Sequence, residues 1–189
     1  MRNVSAKKSP KKQGNPDVRK EKVLEVLNKA RAAELTAILQ YMAQHYALDD
    51  ADYGQVAANV KLIAIDEMRH AEMFAERIFE IGGQPTTEPD MKAKKGQSIE
   101  EALAMDVGLE TTAIEDYNEF MEVCLANRDI LSAKLFERIT EEEQAHLNYF
   151  ANVADHIETL GVVYLARMAG GPAEAPGAGG APGFVANQG

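Results

Sequence analysis

Tryptophan is absent from the 189 residues, and cysteine occurs once, as Cys124. A single thiol excludes an intrachain disulfide and suits a reducing compartment. No apolar run approaches the length of a membrane span. The basic N-terminus lacks the apolar stretch of a secretion signal, so the cytoplasm is the expected location and no membrane partner is expected. Positive charge is also in short supply: 20 Lys and Arg stand against 30 Asp and Glu, a net charge of −10. Residues 1–16 carry five basic groups and no acid, whereas residues 17–169 carry 15 basic and 29 acidic groups, so that body is at −14. Such a body repels nucleic acid and draws cations. The basic arm reads as a solvated extension, and a nucleic-acid partner is not expected.

What is abundant is apolar and helix-forming. Hydrophobic residues make up 46% of the chain, with alanine, leucine, glutamate and lysine prominent, a balance that favours helices. The length suggests one domain. The last twenty residues, from Gly170, contain seven glycines and three prolines. They read as a disordered tail (170–189), matched by a disordered arm (1–16), neither contributing to the core. Between them, residues 17–169 show four amphipathic patterns at spacings of three and four. Helix A is expected over about 17–48, with inward Leu27, Ala30, Glu34, Ile38, Tyr41 and His45. Helix B spans about 53–81, with Val56, Val60, Ile63, Glu67, His70, Phe74, Ile78 and Ile81. Helix C spans about 99–126, with Leu103, Val107, Glu110, Ile114, Tyr117, Met121 and Cys124. Helix D spans about 130–160, with Phe136, Ile139, Glu143, His146, Phe150, Val153, Ile157 and Leu160.

Short links, LDDAD and Asn127-Arg128-Asp129, make A–B and C–D antiparallel hairpins. Ser98 with Glu101 forms a capping box that opens helix C. The stretch 82–97, with Pro85 and Pro89, is the one long connection. It can cross the length of a bundle, as in the ferritin-like arrangement of two hairpins and one crossover. Gly161 ends helix D, and residues 162–169 can form a short fifth helix. The fold class is therefore all-α, a four-helix bundle with one long crossover.

The halves of the chain repeat. Residues 34–41 read ELTAILQY and residues 110–117 read ETTAIEDY. Glu34 precedes Glu67 by 33 residues, and Glu110 precedes Glu143 by the same interval. Each second glutamate is followed at i+3 by a histidine, His70 or His146. One helix pair is thus a copy of the other, displaced by 76 residues, and a symmetric site can sit on the pseudo-two-fold axis. All six of these polar residues fall in apolar stripes. Buried ionised carboxylates cost several kcal/mol each unless compensated, and two divalent cations would supply +4 against the four carboxylates. A glutamate from each of two helices plus Glu-x-x-His from each of the others is the di-iron carboxylate arrangement. Mixed oxygen and nitrogen donors suit iron or manganese. Surface glutamates with merely packed histidines are the alternative, and a single Glu-x-x-His would not exclude it.

The segments AELTAILQY, IDEMRHAEMFAERI and ERITEEEQAHLNYF resemble bacterioferritins, over about Val18 to Met168, including the type found in sulfate-reducing bacteria. The resemblance implies a ferritin-like cage of 24 subunits built from dimers, storing iron. It implies ferroxidase activity on ferrous iron with oxygen or peroxide, two iron ions per subunit, haem shared between paired subunits, and a small electron-donor protein for iron release. By motif, Glu34 and Glu110 would be terminal ligands, Glu67 and Glu143 bridging ligands, and His70 and His146 the nitrogen ligands. Tyr41 would donate a hydrogen bond or an electron near the site. Met68 would be the haem's axial ligand. It follows Glu67 and so points about 100° away around the helix, in a stripe with Ala57, Ala64, Ala71 and Ala75 that leaves room for a flat ring and a partner helix. Some relatives carry a histidine for an inner-surface iron where this chain has Leu62, so that site is not expected even though Asp66 is present. His45 and His156 read as ordinary residues. Competing readings are a discrete di-iron or di-manganese peroxidase or catalase, and a DNA-protecting mini-ferritin. A rubredoxin-bearing peroxidase is disfavoured by the single cysteine, and the mini-ferritin by having all six ligands in one chain.

Overall fold

A computed structural model describes residues 15–170 and 183–187. Among them are five α-helices and no strand: α1 (Pro16–Asp50), α2 (Gly54–Glu80), α3 (Ile99–Ala126), α4 (Ile130–Leu160) and α5 (Val162–Met168), with a 3₁₀ turn at Val185–Asn187. The expected basic arm lies outside the described residues except for its last two positions. Those two belong to the bundle: the Asn15 side chain accepts from the Asp17 amide, and Pro16 opens α1, where a missing N–H costs nothing. No other proline falls within α1 to α4.

The caps explain the boundaries. Ser98 accepts from the Glu101 amide and Glu101 returns a hydrogen bond to the Ser98 amide, as the sequence predicts. Asp129 accepts from the Ser132 amide at 3.0 Å and from Arg77 of α2 through both oxygens, at 2.8 and 2.9 Å. That charge-assisted contact, made by Arg77 Nη2 alone, ties the α3–α4 turn to the end of the other hairpin. Gly83 begins the crossover where a Cβ would stand 2.3 Å from Leu24 Cδ2, so a larger residue there would push the Leu24 side chain aside.

The crossover runs along α1 and is pinned at intervals. The Thr86 amide donates to Asn28 Oδ1 at 2.7 Å, and Arg31 Nε donates to the Thr86 carbonyl at 2.8 Å. The Asp90 and Met91 amides both donate to Thr36 Oγ1, and the Lys94 amide donates to Gln40 Oε1 at 2.7 Å. The loop's backbone thereby satisfies its donors on side chains of the helix it covers.

The apolar core comes in two clusters. One contains Tyr41, Val56, Val60, Ile63, Leu103, Phe150 and Val153. The other contains Leu27, Ala30, Phe74, Ile78, Tyr117, Phe136 and Ile139. Between them lie Glu34, Glu67, His70, Glu110, Glu143 and His146, all buried. Three sequence expectations change. Leu160, placed in the inward stripe of helix D, is 53% exposed, because the helix ends there and turns at Gly161. Ala57, Ala64 and Ala71 are buried inside the chain rather than lining an open face around Met68. Finally, the tail is not wholly apart from the core. Phe184 is 4% exposed and belongs to the first cluster, and its amide donates to the Leu62 carbonyl at 3.2 Å. A lone phenylalanine among glycines and prolines has no periodicity to reveal it. The rest of the tail, 171–182 and 188–189, lies outside the described residues.

Candidate metal centre

Each hairpin delivers half of the polar layer. On α2, Glu67 and His70 are one turn apart, and His70 Nδ1 lies 2.9 Å from Glu67 Oε2. On α4, His146 Nδ1 lies 3.1 Å from Glu143 Oε2. Across the bundle, His70 Nδ1 is 3.1 Å from Glu143 Oε1, and His146 Nδ1 is 3.1 Å from Glu67 Oε1. Glu34 from α1 approaches His70 at 3.8 Å, and Glu110 from α3 approaches His146 at 3.9 Å. The six side chains therefore form two overlapping groups. Glu34, Glu67, His70 and Glu143 make one; Glu67, Glu110, Glu143 and His146 make the other. In each, one donor atom per residue lies within 4.8 Å of the rest. Only Glu67 and Glu143 belong to both groups.

The hydrogen bonding leaves room for cations. A histidine Nδ1 carries at most one proton, and each Nδ1 is hydrogen-bonded to the glutamate of its own helix. Glu67 Oε1 and Glu143 Oε1 are accordingly buried with no hydrogen bond, although each stands near an imidazole. Orphaned carboxylate oxygens in a dry core are costly. These two face inward between the groups, where a pair of hard cations with some affinity for nitrogen would satisfy them.

Around the ligands the pseudo-symmetry continues. The Tyr117 hydroxyl donates to Glu34 Oε1, and the Tyr41 hydroxyl donates to Glu110 Oε1. In both cases Oε2 is left facing the centre. Tyr41 thus serves the opposite hairpin's glutamate, not the Glu34 of its own helix. Tyr117 was read from the sequence only as a core residue, although the repeat ELTAILQY/ETTAIEDY places a tyrosine at the same step in both halves. The imidazoles' other nitrogens point outward: His70 Nε2 hydrogen-bonds Glu142 at 3.3 Å, while His146 Nε2 lies 3.5 Å from Asp66 and makes no hydrogen bond. Each partner immediately precedes a glutamate ligand on the other helix. Such outer carboxylates orient metal-binding imidazoles. Glu142 had no signal of its own, since an acid beside an acid on a helix is common.

Electrostatics follow from burial and crowding. Glu34 and Glu110 are raised well above the ordinary carboxylate range, first by burial and then by the charges of Glu67 and Glu143. Burial acts to lower His70 and His146, but the surrounding carboxylates outweigh it and raise both. Burial acts to raise Glu143, yet the two histidines hold it low. Tyr41 and Tyr117 are raised by burial and by the carboxylates they face, so both remain protonated donors. Burial opposes but does not prevent a lowered Asp66, which His146 and the Val185 amide favour as an anion.

A pocket of about 200 Å³ reaches the layer between α1 and α3, lined by Glu34, Glu110, Tyr41 and Tyr117, with Asp90, Met91 and Asp116 also in its wall. A larger groove of about 640 Å³ near Tyr46, Tyr53, Ile99 and Leu165 contains none of the six residues. The remaining candidates lie apart from the centre. Met68 is 46% exposed on the outer side of α2. His45 is buried, with Nδ1 2.9 Å from the Ala57 carbonyl. His156 stacks on Tyr164 at 5.2 Å. Leu62 is buried, and Asp66 beside it pairs with Arg69 and the Val185 amide. Among the described residues no helix is long and apolar enough to cross a membrane.

Comparison with known proteins agrees with this geometry. Residues 24–160 match the ferritin-like domain family. A bacterioferritin from Desulfovibrio desulfuricans is 59% identical over 159 residues, covering 84% of this chain and 89% of that protein. One from Streptomyces coelicolor is 36% identical over 149 residues, covering 79% and 86%. Among solved structures, the Desulfovibrio desulfuricans bacterioferritin, described with its diiron site in different catalytic states, superposes with a TM-score of 0.85 at 57% identity, covering 87% of this chain and 96% of that one. Mycobacterium tuberculosis BfrA does so with a TM-score of 0.75 at 30% identity, covering 84% and 97%. The bundle, the doubled ligand set and these likenesses place the chain in the bacterioferritin family of ferritin-like proteins.

Proposed function

We propose that this chain is an iron-storage subunit that binds two ferrous ions at the buried centre, oxidises them with oxygen or peroxide, and passes ferric iron to a mineral held by a multi-subunit cage. One observation carries the reading: two four-residue ligand groups, fully buried, share Glu67 and Glu143. Glu34 and His70 would complete one iron position, Glu110 and His146 the other, with Glu67 and Glu143 spanning both. Bound iron supplies the one-electron couples for the reaction. The chain supplies the rest. The α1/α3 pocket admits substrate past the carboxylates of Asp90 and Asp116. Tyr41 and Tyr117 each hold one oxygen of a terminal glutamate and leave the other facing iron. Glu142 orients His70 through a hydrogen bond, and Asp66 faces His146 from behind.

The partners of this reading are further copies of the chain, in a cage of 24 built from dimers, and a small electron-donor protein for release, all in the cytoplasm. Haem shared by two copies would bind through Met68. Its fit rests on a neutral, soft thioether standing 46% exposed on α2 while its neighbours Glu67 and Ala71 are buried. Haem there would carry electrons toward the mineral.

The decisive test is kinetic. In Glu67→Ala and His146→Ala, rapid oxidation of added ferrous iron should be lost while far-UV circular dichroism shows the helices intact. Retention of the fast phase in both variants would remove the assignment.

A further inference from the structure

The centre is built as two near-copies, yet its outer surroundings differ. Glu142, behind His70, has a side chain 23% exposed. Its neighbour Arg138, at 3.5 Å, is 67% exposed. Asp66, behind His146, is 4% exposed. The difference is made by a few residues near the C-terminus. The Val185 amide donates to Asp66 Oδ2 at 3.0 Å. The Phe184 amide donates to the Leu62 carbonyl. The Phe184 ring meets the His146 ring edge-on, with centroids 6.1 Å apart, and packs on Tyr149 at 4.9 Å. Gly183 lies so close to α2 that a Cβ would fall 1.5 Å from Asp66 Oδ1, so the backbone reaches the acid only because the residue is glycine. Nothing equivalent covers Glu142 among the described residues.

We propose that Gly183–Val185 caps the α2/α4 face over the His146 half of the centre, so that the iron held by His146 and Glu110 exchanges slowly and the iron held by His70 and Glu34 exchanges fast. The proposal rests on the di-iron reading above. The physical reason is that exchange through the α2/α4 face, opposite the α1/α3 pocket, requires the imidazole to turn aside and water to enter. Both imidazoles are wholly buried; what differs is that His146 lies against the Phe184 ring and against an Asp66 that is itself buried and held by the Val185 amide. His70 leans on a carboxylate that water already touches. Outer partners of metal-binding histidines are worth about 10- to 100-fold in metal affinity. A one-sided cap therefore separates the two positions kinetically.

The experiment uses the full-length protein loaded anaerobically with two ferrous ions per chain and challenged with a ferrous chelator. Wild type should release iron in two phases of equal amplitude, differing in rate by about 10-fold or more. Phe184→Ala should bring the slow phase up to the fast one. In Mössbauer spectra of the iron-57 form it should alter one of the two iron signals and leave the other. Val185→Pro, which removes the amide donor to Asp66 and leaves the Phe184 side chain whole, should also speed the slow phase. A slow phase unchanged in both variants, or both phases accelerated equally, would overturn the cap. A wild-type protein that binds fewer than two ferrous ions per chain would overturn the di-iron reading instead, and a single release phase in a fully loaded wild type would overturn the inequivalence alone.

Discussion

Asp106 is a buried acid that the metal centre does not account for. It is 1% exposed, and a single hydrogen bond from Gln44 Nε2, at 2.8 Å, meets one of its oxygens. Burial pushes its pKa from 3.8 up to about 8, against the smaller lowering effect of Gln44. Between those values the folded chain binds a proton that the unfolded chain has released, so folding stability falls as pH rises through that window. The slope approaches about 1.4 kcal/mol per pH unit and flattens below 4 and above 8. Asp106→Asn keeps the shape and removes the titration. Urea unfolding should show the variant more stable than wild type at pH 7.5, with the gap narrowing as pH falls toward 4. Parallel stability curves across that range would show that Asp106 is not held neutral. Nothing in the sequence marks this residue, because its neighbours set its burial. The six residues of the buried polar layer are legible for the opposite reason: each breaks an apolar stripe at a position its helix period already defines, and the breaks repeat in the second half. Tyr117 and Glu142 were not recognised as parts of the site, since tyrosine in a core and acid on a helix face both have ordinary explanations. Only the fold shows that Tyr117 bonds Glu34 and Glu142 bonds His70, each on the opposite hairpin.

At the scale of elements, the helices were legible almost to the residue, because period and caps agree: Ser98 with Glu101 at the start of α3, and Gly161 at the end of α4. The long connection was legible as a crossover but not in its path. That path is written in side chains of α1, Asn28, Thr36 and Gln40, whose polar groups meet loop amides that no local pattern reveals. The docked Phe184 escaped for the same reason, its partners being more than 30 residues away in the chain. Thr36 tests the pinning. It is 2% exposed and accepts from both the Asp90 and Met91 amides. Thr36→Val has nearly the same volume, leaves the Met91 amide without its acceptor and the Asp90 amide with only the Ala32 carbonyl at 3.3 Å, at about 1–3 kcal/mol. The melting temperature should fall by several degrees. Amide exchange at Asp90 and Met91 should speed up well beyond that at Thr86, which is held separately by Asn28. Equal acceleration at all three amides would mean that the loop is held as one body and not pin by pin.

The whole molecule shows more apolar surface than an isolated bundle would keep. Leu39 and Tyr46 on α1 are 50% and 64% exposed, and Met68 and Phe79 on α2 are 46% and 59% exposed. Each pair repeats at a spacing that returns to one helix face. On α5, Val162 and Val163 are 79% and 72% exposed. Surfaces of this kind are covered by partners, and in this family reading the partners are copies of the chain. Native mass spectrometry under gentle conditions should therefore find the closed assembly and no stable monomer. A dimer or tetramer as the largest species would contradict the cage. Haem tests the same surface more sharply, because a two-fold interface places the same residue of both copies face to face. If Met68 is that residue, two neutral sulfurs hold one iron. Such soft ligation favours the ferrous state and raises the potential. Met68→Leu keeps the volume and the apolar character, so the dimer contact should survive with the mass unchanged. Only the sulfur is lost, and with it the low-spin spectrum and the one-haem-per-two-chains stoichiometry. Iron uptake depends on the buried centre and should be preserved, while reductive release should slow. An unchanged low-spin spectrum at full haem content in Met68→Leu would assign the axial ligand elsewhere, whereas loss of the assembly itself would mean that Met68 acts through packing and not through its sulfur.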